Sequence, residues 1–415
     1  MSDIAAPSLN TAAELSTTGH TVEWVLRMLV DHNPKFEAAR DGAKVEELTA
    51  YDISEGKGYL SRVYKCTARF DRSQSAAYSF IMKIPTFDCL ATAMEDMQLD
   101  KEAAHKFEAE LSDAHNVECA AYELLRSIHD FPRPEVFFLE RSGDGKPGLI
   151  VMEDLSGRAV TIGIYESMRA AHLLAAARHF ARFQAQINRL DGWRGKFQSN
   201  FHISSMNRSE LPKMYENFLK NAPDFKPMVE RLQKVKQIEF SRFALRDRPK
   251  ELGATTLAAG DCWANNVMLA VNADGSVGNE IASFIDWQIA MEGNPLFDLA
   301  RLTVMCADAE IRRSVEDELV PAYFEELERA CAPERPPFTR EQAEELFELA
   351  CIQQTFEAVM MASFFIVQQT ALKVTPRVHE GQKHKLLLRV RFALQDAFEL
   401  MEKHGIEQRF VHTEV

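Results

Sequence analysis

Apolar and polar positions follow two different periods along this chain, and the change of period divides it. From Val45 to Pro85 the pattern is that of strands. The runs RVYKCTARF at 62–70 and AAYSFIMKI at 76–84 are rich in Val, Tyr, Phe and Ile, and the turn-type run DRSQS lies between them. A meandering antiparallel sheet is expected there. A short amphipathic helix is expected before it, from Thr21 to about Leu29, and a longer one after it, from about Glu95 to Ser127. Two more strands are read in EVFFLE at 135–140 and GLIVMED at 148–154, joined by the hairpin-type run RSGDGKP. After Gly157 the period lengthens. In 166–190 the residues Leu173, Ala177, Phe180, Phe183 and Ile187 recur at helical spacing. Helices continue through 207–245. A second β patch follows, VMLAV at 267–271 and EIASFID at 280–286, around the turn Asn272-Ala273-Asp274-Gly275. Leu296 to about Lys403 is again helical.

The expected organisation is therefore α+β. A disordered, small and polar stretch at 1–20 precedes a β-rich lobe over 21–155. A large helical lobe containing one β-hairpin follows over 156–415.

Composition narrows the function. With 415 residues and 46% hydrophobic positions the chain can build a large core. Its formal charge is −14, which argues against tracking a nucleic-acid backbone or an anionic membrane surface. The seven cysteines are scattered, odd in number and contain no C-x-x-C pair, so a reducing, cytoplasmic compartment is expected rather than a disulfide framework or a zinc cluster. The opening MSDIAAPSLNTAAELSTTGH has no basic start and no apolar core, and no signal peptide is read in it. The longest apolar run, AVMMASFFIV at 358–367, is too short to span a bilayer.

Three places have the residue types for phosphate chemistry. Glu55-Gly56-Lys57-Gly58-Tyr59-Leu60-Ser61 has the spacing G-x-G-x-x-S, in which glycines let backbone N–H groups approach phosphates. A strand and not a helix follows it, so a Rossmann fingerprint is excluded, and no P-loop motif occurs. The alternative is an ordinary hairpin turn. Lys83 stands among apolar residues in Ser79–Ile84, where burial without a carboxylate is costly. Glu118 is the partner expected from the next helix, with Glu108, Glu110 and Glu123 as rivals; the alternative is a lysine that reaches solvent. The third place is Ala259-Gly260-Asp261-Cys262-Trp263-Ala264-Asn265-Asn266, whose hairpin returns to Asp286. Asn266 and Asp286 offer the hard oxygens that suit magnesium, and Asp261 is placed to accept a proton from a hydroxyl. Further on, Asp298 in Asn294-Pro295-Leu296-Phe297-Asp298-Leu299-Ala300 precedes an apolar helical run, as an N-cap or as a brace for the preceding loop.

These strings resemble H-G-D-x-x-x-x-N, I-D-W-Q and P-x-x-D-L-A of the protein-kinase-like superfamily. More narrowly they resemble the ecdysteroid-kinase-like or choline-kinase-like group beside the aminoglycoside phosphotransferases. EGKGYLSRVYK and HNVECAAYELL are similar to that group as well, and the resemblance covers roughly residues 45–400. It implies a bilobal protein-kinase-like fold. It also implies a set of roles. Gly56, Gly58 and Ser61 would form a phosphate flap. Lys83, held by Glu118, would contact the nucleotide. The hinge Met152–Leu155, with Glu153 and Leu155, would offer backbone groups to adenine. Asp261 would be the base, and Asn266 and Asp286 would hold Mg2+. One departure is plain: the histidine two residues before the catalytic Asp is Ala259 here, which puts the rigidity of the loop in question. Gln184 likewise stands where the group often has histidine.

The expected activity is ATP- and Mg-dependent phosphorylation of a small-molecule hydroxyl, steroid-like or choline-like, without nucleic acid or membrane as partner. The alternative is a pseudokinase. Only 12 positions separate Asp286 from Asp298, too few for a long activation segment of the protein-kinase type. The acceptor pocket is expected among 200–245 and 340–375. Met361, Phe364 and Phe365 are read there first as core packing and otherwise as an apolar wall.

Overall fold

The computed structural model describes residues 1, 3–54, 61–72, 77–86, 101–143, 146–204, 211–366 and 374–411, with side chains from residue 110 onward in the helix that begins at 101. Gly56 and Gly58 lie outside these residues. The chain divides into two compact units, Met1–Leu125 with Pro134–Arg158, and Arg126–Arg133 with Ala159–Val415.

The first unit holds helices α1 (Val22–His32), α2 (Pro34–Arg40) and α3 (Lys101–Leu125) and strands β1 (Val45–Asp52), β2 (Ser61–Phe70), β3 (Tyr78–Pro85), β4 (Val136–Glu140) and β5 (Leu149–Glu153). The strands form one sheet in the order β1-β2-β3-β5-β4, each pair antiparallel. Side chains alternate across a strand, so Tyr64, Cys66 and Ala68 share a face with Phe80 and Met82, and these pack in one core with Val25, Leu26, Leu29 and Phe36. Thr21 starts α1 by accepting the Trp24 N–H through its hydroxyl. The first twenty residues, whose small polar character reads as disorder, make defined contacts. Ala5 and Leu15 are buried in that same core, and the Ala6 N–H donates to Val45 O at 2.9 Å. Met1, Ile4 and Leu9 pack against that core as well, so scattered apolar residues anchor the segment.

The second unit begins with the two-residue strand β6 (Ala159–Val160) and α4 (Ala170–Ile187). Short helices follow, α5 (Phe201–Ser204), α6 (Leu211–Asn221), α7 (Lys226–Gln233), α8 (Gln237–Arg242) and α9 (Arg248–Glu251). Then come β7 (Thr256–Ala258), β8 (Val267–Val271), β9 (Val277–Phe284) and β10 (Met291–Gly293). Helices α10 (Phe297–Cys306), α11 (Ala309–Ser314), α12 (Glu316–Cys331), α13 (Arg340–Phe365), α14 (Pro376–Lys403) and α15 (Ile406–Arg409) complete it. The β8–β9 hairpin is the one expected from the Asn272–Gly275 turn; Gly275 takes φ +84° there, which a side chain disfavours. β6 extends the hairpin, and β7 pairs with β10, both too short to read from period alone. No helix among the described residues is long and apolar enough to cross a membrane.

Candidate active site

In the first unit Lys83 occupies the phase of β3 opposite to Phe80 and Met82, and so faces away from the α1 core. There Glu118 of α3 receives its ammonium at 2.9 and 2.7 Å. Both side chains are buried, at 9% and 1% exposure, so this is a desolvated pair and not a surface lysine. Of the rivals, Glu110 is exposed and Glu123 pairs with Arg141 at 2.6 Å, while the side chain of Glu108 lies outside those described. Ser61 is buried at the start of β2 opposite Pro85. Glu153 pairs with Arg158 at 2.8 Å, and its backbone N–H donates to Glu135 O. Leu155 is buried. Between them burial pushes the Asp154 carboxyl up, but hydrogen bonds with Ser156, Ser79 and Lys65 hold it low, at about 2.

Lys83→Met should destabilise the protein by about 3–5 kcal/mol, because it removes the ammonium that meets both oxygens of the buried Glu118 carboxylate. Lys83→Met with Glu118→Leu should recover much of that. Urea unfolding of the three variants measures it, and a neutral single variant would show that Glu118 has another sufficient partner.

In the second unit the loop between β7 and β8 carries Asp261. Gly260 has φ +83°, and a Cβ there would sit 2.2 Å from Ile289 O, so only glycine fits this turn. Asp298 stands in the first turn of α10 and is not its N-cap, which is Leu296. Its buried carboxylate accepts instead the N–H groups of Ala259 at 2.7 Å and Gly260 at 3.0 Å, the bracing expected as one of its two roles. Asn294 holds that segment in place, donating to Ala244 O and Leu346 O, and Gln184 donates to Pro295 O at 2.6 Å.

Beyond Asp261 the chain turns back on itself. Asn266 Nδ2 donates to the Asp261 carbonyl at 2.9 Å and to its Oδ2 at 3.2 Å. With the amide hydrogens directed to Asp261, the remaining group of Asn266 is Oδ1, an uncharged hard oxygen. The Ile285 N–H donates to Asn266 O at 3.0 Å, which brings Asp286 beside it. Asp286 takes φ +65°, rare for a non-glycine residue, between the buried anchors Phe284 and Trp287. Trp287 is fixed by ring contacts with Phe131 and Phe183. Asp261, Asn266 and Asp286 are thus gathered at one end of the hairpin. Burial and then the neighbouring Asp286 charge raise the Asp261 carboxyl, while Arg301 and His202 oppose the rise.

Sequence reasoning passed over three groups here. Arg301 of α10 donates to Asp261 Oδ1 at 2.8 Å and to Glu357 Oε2 of α13 at 2.6 Å. His202 of α5 lies 2.7 Å from Glu357 Oε1 and 2.8 Å from Gly260 O. The one available signal was Gln353-Gln354 and Glu357 inside the mostly apolar second half of α13, where buried polar groups demand partners. Among the described residues no group of three or more His, Cys, Asp or Glu side chains is arranged to hold a metal. A magnesium ion shared with substrate phosphates needs only one or two protein carboxylates.

Asp298 gives the loop a pH signature. Burial pushes its carboxyl up to about 6, against the hydrogen bonds from Ala259 and Gly260. Between about 4 and 6 the folded chain then holds a proton that the unfolded chain does not, so this group's contribution to stability falls as pH rises through that window. The ionised form is the one that accepts both loop N–H groups. The expected result is a rate that falls on acidification through about pH 6 while the fold persists, read from a pH–rate profile beside melting at each pH.

Comparison with known proteins places the chain. Residues 32–404 match the family DUF1679, described as "Uncharacterized oxidoreductase dhs-27". The chain belongs to that family. A Caenorhabditis elegans protein of the same description is 27% identical over 281 residues, 65% of this chain and 34% of that protein, so the match spans about a third of that relative's length. Among solved structures, choline kinase from Cryptosporidium parvum Iowa II has 11% identity and TM-score 0.52, covering 93% of this chain and 98% of its own. Spectinomycin phosphotransferase APH(9)-Ia, in complex with ADP and spectinomycin, has 10% identity and TM-score 0.44, covering 88% and 98%. The choline kinase likeness shows a protein-kinase-like bilobal α+β fold. The narrower ecdysteroid-kinase-like resemblance is not the description under which the family matches.

Proposed function

We propose that this chain is an ATP- and magnesium-dependent phosphotransferase acting on the hydroxyl of a small molecule. The observation that carries the reading is the gathering of Asp261, Asn266 and Asp286 at one end of the β8–β9 hairpin, with the Asp261 carboxylate oriented by Arg301 and by Asn266. In this reading Asp261 accepts the proton of the acceptor hydroxyl. Each of its oxygens gives one lone pair to a neighbour and retains another. Asn266 Oδ1 and Asp286 hold the metal, whose chemistry when bound is to neutralise charge on the transferring phosphoryl group. Lys83, fixed by Glu118, contacts the nucleotide phosphates. Gly56, Gly58 and Ser61 form the flap, and the backbone at Glu153 and Leu155 meets adenine. The chain is read as cytoplasmic, with a small-molecule alcohol as partner.

The oxidoreductase name of the relative does not favour a dehydrogenase reading of this chain. A dinucleotide fingerprint needs parallel strands and a glycine turn that opens a helix. Every pair of named strands among the described residues is antiparallel, and the glycine run lies between two strands. A pseudokinase is the second reading, favoured by Ala259.

Calorimetry with ATP, with and without magnesium, tests the first step, and metal-dependent binding is expected. Labelled ATP incubated with a small-molecule extract, followed by mass spectrometry of new phosphoesters, tests the second. Equal affinity in both conditions would remove the metal assignment. Binding without any phosphoester or ATP hydrolysis would favour the pseudokinase.

A further inference from the structure

The side chain of Ala259 is too short to brace the loop that carries Asp261, yet the loop is held on every side. Its N–H groups at 259 and 260 go to Asp298. The carbonyl of Gly260 is met by His202 Nε2 at 2.8 Å, from a helix 58 residues earlier in the chain. From there the contacts run in a closed circuit. His202 Nδ1 meets Glu357 Oε1, Glu357 Oε2 accepts from Arg301, and Arg301 donates to Asp261 Oδ1, on the residue next to Gly260. Gln353 and Gln354 complete it. Gln353 donates to Glu357 Oε1 at 2.8 Å, and Gln354 donates to Gln353 and accepts from Arg301. His202, Arg301 and Glu357 are 1%, 5% and 5% exposed.

The chemistry of the circuit fixes the direction of its bonds. A backbone carbonyl only accepts, so His202 Nε2 donates to Gly260, and Nδ1 shares the other hydrogen bond with Glu357. The Arg301 cation stands between the Glu357 and Asp261 carboxylates, a pairing that offsets charge in a setting where a single uncompensated buried charge costs several kcal/mol.

We propose that His202 is a positioning residue for phosphoryl transfer, supplying from outside the loop the brace that Ala259 lacks and aiming the Asp261 carboxylate through Glu357 and Arg301. This rests on the phosphotransferase reading above. A purely architectural histidine would lower stability and leave the turnover of folded protein unchanged. A positioning histidine lowers kcat, leaves nucleotide affinity alone, and loses its effect once Asp261 is no longer a base.

The test uses the full chain with Mg·ATP, following hydrolysis with water as acceptor and ATP affinity by calorimetry. His202→Gln keeps one of the two hydrogen bonds. It is expected to lower kcat about 10- to 100-fold with ATP affinity within about twofold, by misplacing the general base. Combined with Asp261→Asn it should cost no more than Asp261→Asn alone, because residues acting as one unit are not additive. Wild-type kcat in His202→Gln, or a loss that adds to that of Asp261→Asn, overturns the proposal. Where His202→Gln fails to fold, Glu357→Gln cuts the same circuit and carries the same expectations. 15N-histidine NMR of the wild-type chain reads the circuit without activity. His202 Nε2 should carry a hydrogen-bonded proton, and a bare Nε2 overturns the brace on the Gly260 carbonyl. A proton held on Nε2 in a chain that never hydrolyses Mg·ATP would sink the phosphotransferase reading while leaving the circuit in place.

Discussion

Asp261→Asn should fold, bind Mg·ATP with near-normal affinity, and lose phosphoryl transfer by roughly 10²–10⁴-fold, the usual cost of removing a general base. The fold should survive because the asparagine Oδ1 still accepts from Arg301, and Arg301 retains its 2.6 Å contact with Glu357. Binding should survive because Lys83 and Asp286 are untouched and Asn266 keeps its 2.9 Å hydrogen bond to the backbone carbonyl at 261. The carboxamide cannot take a proton from an alcohol, so the loss falls on the chemical step. Once an acceptor is found, single-turnover transfer reads that step, and calorimetry reads affinity. Wild-type transfer would remove Asp261 from the mechanism. Lost ATP binding would recast it as a structural or metal-site residue.

The parts of this site that were legible in the sequence are those set by local pattern. Asn266 and Asp286 are related by one hairpin, and the hairpin was marked by Asn272-Ala273-Asp274-Gly275. Lys83 and Glu118 were legible for a different reason: a lysine among Phe80, Ile81, Met82 and Ile84 cannot be buried without a carboxylate, and the next helix offered several. Choosing Glu118 over Glu110 and Glu123 depended on the face of α3 that meets β3, which the structure decides. His202, Arg301 and Glu357 were not legible. They sit 58 and 40 residues from the loop for the first two, and 56 residues from each other for the last two. No spacing rule links such positions. The N-terminal stretch failed in the opposite direction. A window of mostly small polar residues reads as disordered, but Ala5 and Leu15 are anchors whose value lies in what they pack against. The apolar run at 358–367 is mixed in the same way. Phe364 is 53% exposed, whereas Met361 and Phe365 pack partly against the core, so only part of that stripe is core.

The largest effect on stability is expected at Arg301. Its guanidinium is buried, burial lowers its tendency to stay charged, and the Glu357 and Asp261 carboxylates more than restore it. Arg301→Leu would fill similar volume but leave the buried Glu357 carboxylate facing His202 and Gln353, and the part-exposed Asp261 carboxylate facing Asn266. Breaking a buried pair from one side typically costs about 3–5 kcal/mol, and the Glu357 pair is buried on both sides. The expected outcome is a chain that is largely unfolded, or folded only in the cold, as read by circular dichroism and by urea titration. Arg301→Lys separates charge from geometry. A lysine keeps one positive charge near both acids but lacks the planar fork that reaches Asp261 with one nitrogen and Glu357 with the other. That variant should fold with a smaller loss of stability and still transfer phosphate slowly, because the base is no longer held from two sides. A Leu variant as stable as the wild type would mean that the two carboxylates are hydrated or protonated in the interior, and the circuit around Asp261 would then have no electrostatic basis.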